Sequence, residues 1–159
     1  MHSRIYQISI NPIHKYDYID ESNYYDHWFT NSVADYVNGD TDRADDIEWL
    51  KSCYDNSGLS FGADENGEYF IVEDKTKYFA DKLETFQANL KELSAITLDD
   101  FAISKYDMQM YRLKEAYEDK YGFYVDDDGG WGMNTLDACI RYSENGTKYY
   151  IGATIDYHF

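Results

Sequence analysis

Asp126-Asp127-Asp128-Gly129-Gly130-Trp131-Gly132 is the stretch whose residue types come closest to a chemical site. Three adjacent carboxylates offer oxygen ligands suited to a hard divalent cation. The glycines would let the backbone wrap an ion, and Trp131 would be free to stack on a ligand. The spacing is not that of a calcium-binding EF-hand loop. Counting from Asp126, the fifth and sixth positions are Gly130 and Trp131, where Asp or Asn and then Gly are required. A solvated turn whose Trp131 folds back onto the core is the plainer reading, with partner contact next. No cofactor or metal is expected.

A second concentration of carboxylates is Asp40, Asp42, Asp45, Asp46 and Glu48, around the expected start of a helix. Acids near a helix N-terminus are favoured by typically 0.3–1 kcal/mol each. That benefit covers two or three of these residues and leaves a density of five for an interaction face. Tyrosines interleave with acids in Tyr16-Asp17-Tyr18-Ile19-Asp20-Glu21 and Tyr24-Tyr25-Asp26. Tyrosine supplies rigid, amphipathic contact area and is favoured at interfaces. The residues expected to meet a partner are therefore Asp40, Asp42, Asp45, Asp46, Glu48, Asp126, Asp127, Asp128 and Trp131.

Catalytic signatures are missing. His2, His14, His27 and His158 share no metal-ligand spacing, and His27 beside Trp28 reads as a packed histidine. No nucleophile elbow, phosphate loop, dinucleotide fingerprint or zincin motif is present. Carboxylate pairs are so common that choosing one as an acid/base couple would be arbitrary. Cys53 and Cys139 match no zinc spacing and make no disulfide framework. The first ten residues contain no run long enough for a secretory signal. A cytoplasmic protein with two reduced thiols is expected, and the Asn145-Gly146-Thr147 sequon reads as a turn.

The elements positioning these residues follow from periodicity. Residues 4–10 alternate, with Tyr6, Ile8 and Ile10 on one face of a strand. Residues 22–38 and 41–56 carry helical spacing. Strands at 59–62 and 68–73 flank Asn66-Gly67, a hairpin signal. Residues 75–94 form the clearest helix, striped by Phe79, Leu83, Phe86, Leu90 and Leu93. Thr97-x-x-Asp100 is a capping pattern, followed by a helix carrying Met110, Leu113 and Tyr117 to about residue 121, with Gly122 as its stop. Residues 123–125 read as a short strand. Alternation over 136–142 and 149–157 around Asn145-Gly146 predicts a terminal antiparallel hairpin. The expected fold is one α+β domain, an antiparallel sheet packed against three to four helices.

Thirty-one acidic residues against 14 Lys plus Arg give a net charge of −17, whereas solubility of a small domain needs a magnitude of only about 2–8. This argues against direct binding to phosphate backbones and anionic membranes and is more compatible with a basic protein surface, a metal ion or a cationic ligand. A domain of this length is roughly 40 Å across, and that length of duplex presents about 23 charges. In composition the chain resembles the DNA-mimic proteins that phages and conjugative elements direct against restriction enzymes or CRISPR effectors. The resemblance implies a non-catalytic inhibitor of a nucleic-acid-binding protein and carries no motif or residue role. The alternatives are an acidic adaptor domain and an unrecognised ligand binder or enzyme.

Overall fold

Ile5, Tyr6, Gln7 and Ile8 are all buried, so the first strand, β1 (His2–Ser9), has both faces covered and lies inside the sheet. The computed structural model describes residues 1–127 and 130–159. Among them the other strands are β2 (Tyr36–Asn38), β3 (Leu59–Asp64), β4 (Gly67–Val72), β5 (Tyr124–Asp127), β6 (Gly132–Thr135) and β7 (Lys148–His158). They form a mostly antiparallel sheet in the order β3–β4–β7–β1–β5–β6, and β2 pairs with the end of β7. The β1–β5 pair is parallel, opposing Ile5 to Tyr124. That departs from a purely antiparallel sheet, and the long connection between these strands permits it.

The helices are α1 (Trp28–Ser32), α2 (Arg43–Tyr54), α3 (Lys75–Ser94), α4 (Leu98–Ala102), α5 (Asp107–Glu118) and α6 (Leu136–Tyr142). On one face α2, the base of α3 and α6 bury Leu50, Tyr78 and Ile140 with Tyr6, Ile8 and Val125. On the other, Tyr24 and Phe29 from a 3-10 turn (Glu21–Tyr24) and α1 pack with Ile5, Tyr124 and Tyr157. Helices α3 and α5 pack chiefly on each other, as an arm.

Sparse Leu, Ile and Val make the core phenolic, and each buried hydroxyl needs a partner. Tyr6 donates to the Asp46 carbonyl at 2.8 Å, Tyr78 to Asp137 at 2.8 Å and Tyr124 to the Lys120 carbonyl at 2.9 Å. Tyr157 donates to the Gly122 carbonyl.

Three elements differ from the sequence expectation. Residues 136–142 are helix, not strand. Thr135 Oγ1 accepts from the Ala138 amide at 3.1 Å, capping the helix, and Leu136 and Ile140 bury one turn apart while Tyr142 is exposed. An alternating series contains every i, i+4 pair, so it satisfied both periods. β7 then pairs with β1, β4 and β2, and Gly146, at φ 91°, turns the chain from helix to strand. Residues 22–38 do not make one helix. His27 Nδ1 accepts from the Phe29 amide at 3.3 Å to start α1, and the Asp35 amide is captured by the His158 carbonyl at 2.8 Å. The helix expected to reach residue 121 is two, broken where Ser104 takes φ 53° and ended by Asp119 at φ 46° rather than by Gly122. Ile10 lies beyond β1 and is exposed.

Gln7 pins the covering layer to the sheet. Its Nε2 donates to the Asp17 carbonyl at 2.8 Å, and its Oε1 accepts from the amides of Ile19 at 3.2 Å and Ala153 at 3.1 Å. A Cβ on Gly152 would stand 2.5 Å from that oxygen. Gly152→Ala is therefore expected to cost about 1–3 kcal/mol in urea unfolding and to speed proteolysis after Lys15. An unchanged midpoint with unchanged proteolysis would show that Gln7 is not held there.

Candidate functional site

Asp42 caps α2: its Oδ1 accepts from the amides of Ala44 at 3.0 Å and Asp45 at 3.2 Å. Asp46, expected on a partner surface, is instead buried, with Arg4 Nε 2.5 Å from its Oδ1. The fourth helical position turns it toward the sheet, so its charge serves the fold. Asp40 and Asp45 are exposed, as is Glu48, which pairs with Lys51 at 3.4 Å. Asp126 accepts from the Tyr24 hydroxyl at 2.7 Å, which places it on the sheet face opposite α2. Asp127 lines a cavity on the α6 side, and Trp131 is exposed and stacked on Tyr142 at 5.7 Å. Asp128 lies outside the described residues. The two expected acidic groups thus have different anchors.

Acids are densest in the segment 15–48, which runs from the sheet face that Tyr24 covers round to the face that α2 covers. It holds ten carboxylates against Lys15 and Arg43, a net charge of −8. The segment wraps from the 3-10 turn at Lys15–Asp17 through α1 and β2 to the start of α2. Glu21 Oε2 accepts from the Gly39 amide at 2.6 Å, and its Oε1 accepts from the Tyr25 hydroxyl at 3.0 Å, closing the turn onto the loop after β2. Arg43 fills the β7 edge between β4 and β2, donating to the carbonyls of Gly152 at 2.6 Å and Ile151 at 2.7 Å and to Glu68 at 2.8 Å. Its positive charge is therefore directed inward. The Ser22 hydroxyl and amide hold Asp20 below the usual carboxylate range. Exposed among these acids are Tyr16, Tyr25, Trp28 and Tyr36. The interleaving of Tyr and Asp pointed to this segment, and the distribution of basic residues separates the body that carries it from the arm. Residues 75–120 carry eight basic and nine acidic side chains, leaving six and 22 on the rest of the chain. The arm is at −1 and the sheet body at −16.

The cavity beside Asp127 has a volume of about 60 Å³ and is lined by Val125, Trp131, Cys139, Ser143 and Tyr149. The Ser143 and Tyr149 hydroxyls are 2.8 Å apart. Burial pushes the Cys139 thiol up to about 11, and a protonated thiol is a poor nucleophile at neutral pH. Cys53 and Cys139 are free thiols on different helices. Among the described residues no group of three His, Cys, Asp or Glu is arranged to hold a metal ion, and no helix is long and apolar enough to cross a membrane. Comparison with protein-family models, curated proteins and solved structures gave no match.

Proposed function

We propose that this protein is a non-catalytic acidic binding protein whose layer 15–48 occupies a basic surface on a nucleic-acid-binding protein, as a DNA mimic does. The observation that supports the reading is the partition of charge, −16 on the sheet body and −1 on the arm. Solubility alone would be served by scattered charge. Without Asp46, whose charge Arg4 compensates, seven net charges remain on the layer, matching what about 12 Å of duplex presents, and exposed tyrosines beside them accept Arg guanidinium groups on their rings. Restriction and CRISPR effectors carry such basic surfaces, and both act in the cytoplasm, the compartment this reading assigns.

Attraction of this kind acts at long range and is screened over about 8 Å at physiological salt. Captured partners should bind more weakly as salt rises, and DNA should compete for them. Asp26, Asp40 and Asp45 are exposed and free of capping duty, unlike Asp42. Reversing all three to Lys should slow association roughly tenfold or more and leave the circular dichroism spectrum unchanged. The test is a pull-down from bacterial lysate over a salt series, with the triple variant alongside. Partners that do not bind nucleic acid, or that hold equally well in high salt, would replace mimicry with a general adaptor role.

A further inference from the structure

The most regular apolar pattern in the chain is the one the fold leaves uncovered. On α3, Phe79, Leu83, Phe86, Leu90 and Leu93 recur at intervals of four and three. Tyr106, Met110, Leu113 and Tyr117 recur the same way along α5. This is the spacing of a coiled-coil seam, yet among described residues 80–121 only Asn89 is buried. Leu83 is 54% exposed, Leu90 49%, Met110 48% and Tyr117 54%. The two helices run antiparallel, with Phe86 6.2 Å from Tyr117 near the base and Leu93 beside Met110 toward the tip. Each seam covers one flank of the other and leaves the second flank open. Two hollows result, about 520 Å³ at the base around Leu83 and Tyr117 and about 500 Å³ at the tip around Phe101 and Met110.

We propose that the arm is a dimerisation element whose occupant is a second copy of this chain, laid antiparallel across it to complete a four-helix bundle. The proposal does not rest on the acidic-face reading. Three observations select a second copy. A two-helix arm offering a face about 30 Å by 20 Å, from the helix rise and diameter, gives about 600 Å², the lower end of the roughly 600–1,000 Å² per partner of a stable interface. Its net charge of −1 lets two arms meet without repulsion, whereas two bodies at −16 would repel. Antiparallel overlap separates those bodies by about the arm length, more than three Debye lengths. The dimer would carry an acidic face at each end.

Sedimentation of the full chain at about 10 μM, where an interface of micromolar or tighter affinity is largely formed, should give twice the 18.7 kDa chain mass. Leu83→Glu with Leu90→Glu should sediment as a monomer with an unchanged circular dichroism spectrum, because both side chains are already half exposed within one copy. The wild-type dimer should persist in molar salt. A wild-type monomer, a double variant that still dimerises, or a dimer lost on adding salt would each overturn the proposal, the last by moving the contact to the charged body.

Discussion

Above pH 10 the protein is expected to unfold in one cooperative step as its buried phenols ionise. Tyr6, Tyr78, Tyr124 and Tyr157 are each at most 5% exposed, and burial is the main cause raising all four above the ordinary tyrosine value. An unfolded chain releases those protons near pH 10. The folded chain keeps them, because a phenolate would be buried and would lose the hydrogen bond it donates. Between the two values the native state binds more protons, so the contribution is complete below pH 10 and is lost as pH rises. Each group removes about 1.4 kcal/mol per pH unit, and four remove about 5.5. Against a total stability of about 5–15 kcal/mol, unfolding should fall within one to three units above pH 10. Lys82 acts in the same direction. Burial would lower its ammonium, but Asp137 at 2.7 Å and Asp119 at 3.1 Å overcome that and hold it above its ordinary value. Part of the phenolate absorbance should appear only in the step that abolishes the circular dichroism signal. Tyr124→Phe with Tyr157→Phe should roughly halve the slope of stability against pH. Complete ionisation with the spectrum intact would defeat this account.

That behaviour was legible in composition, since 18 tyrosines in a chain poor in Leu, Ile and Val had to furnish the core. Local elements were legible where one period stood alone. The helix α3 and the hairpin of β3 and β4 match their residue patterns because stripe, cap and turn residues agree. The misreadings come from sites where tertiary partners outweigh pattern. Residues 136–142 look alternating, but the Thr135 cap and the Leu136–Ile140 pair resolve them as helix. Residues 22–38 carry helical spacing, but the end of β7 captures Asp35 and adds β2.

The candidate face was legible as chemistry and not as place. Acidic density and Tyr–Asp interleaving mark residues 16–26 and 40–48 without the structure. Only the fold shows that Asp46 faces Arg4 and that Asp126 serves Tyr24, a member of the same segment, on the sheet face opposite α2. The partition between body and arm was present in the order of Lys and Arg along the chain, but it means nothing until residues 75–120 are seen to stand together. The exposure of the α3 stripe was not legible. A heptad pattern marks a seam without saying whether the covering partner belongs to the same chain.

Arg4→Met is expected to produce a large loss of stability. Arg4 lies on β1, where its Nε meets Asp46 at 2.5 Å and its Nη1 meets Asp156. Both carboxylates are buried. Asp156 has a second neighbour in His2 at 2.8 Å, whereas Asp46 Oδ2 has no hydrogen-bond partner among the described residues. Arg4 is thus the compensating charge for Asp46, while Trp49 stacks 5.3 Å from the guanidinium. Methionine keeps the aliphatic stem and strands the carboxylate, which costs about 3–5 kcal/mol when a buried pair loses one member. Arg4→Lys keeps the charge without the planar fork that spans two acids, so its loss should be smaller. Arg4→Met with Asp46→Leu separates the causes, because an apolar pair of similar volume can replace a buried ion pair at little cost. Urea unfolding should show the double variant more stable than Arg4→Met alone. If it is less stable, Asp46 is not the stranded group, and the loss belongs to the packing of α2 over β1.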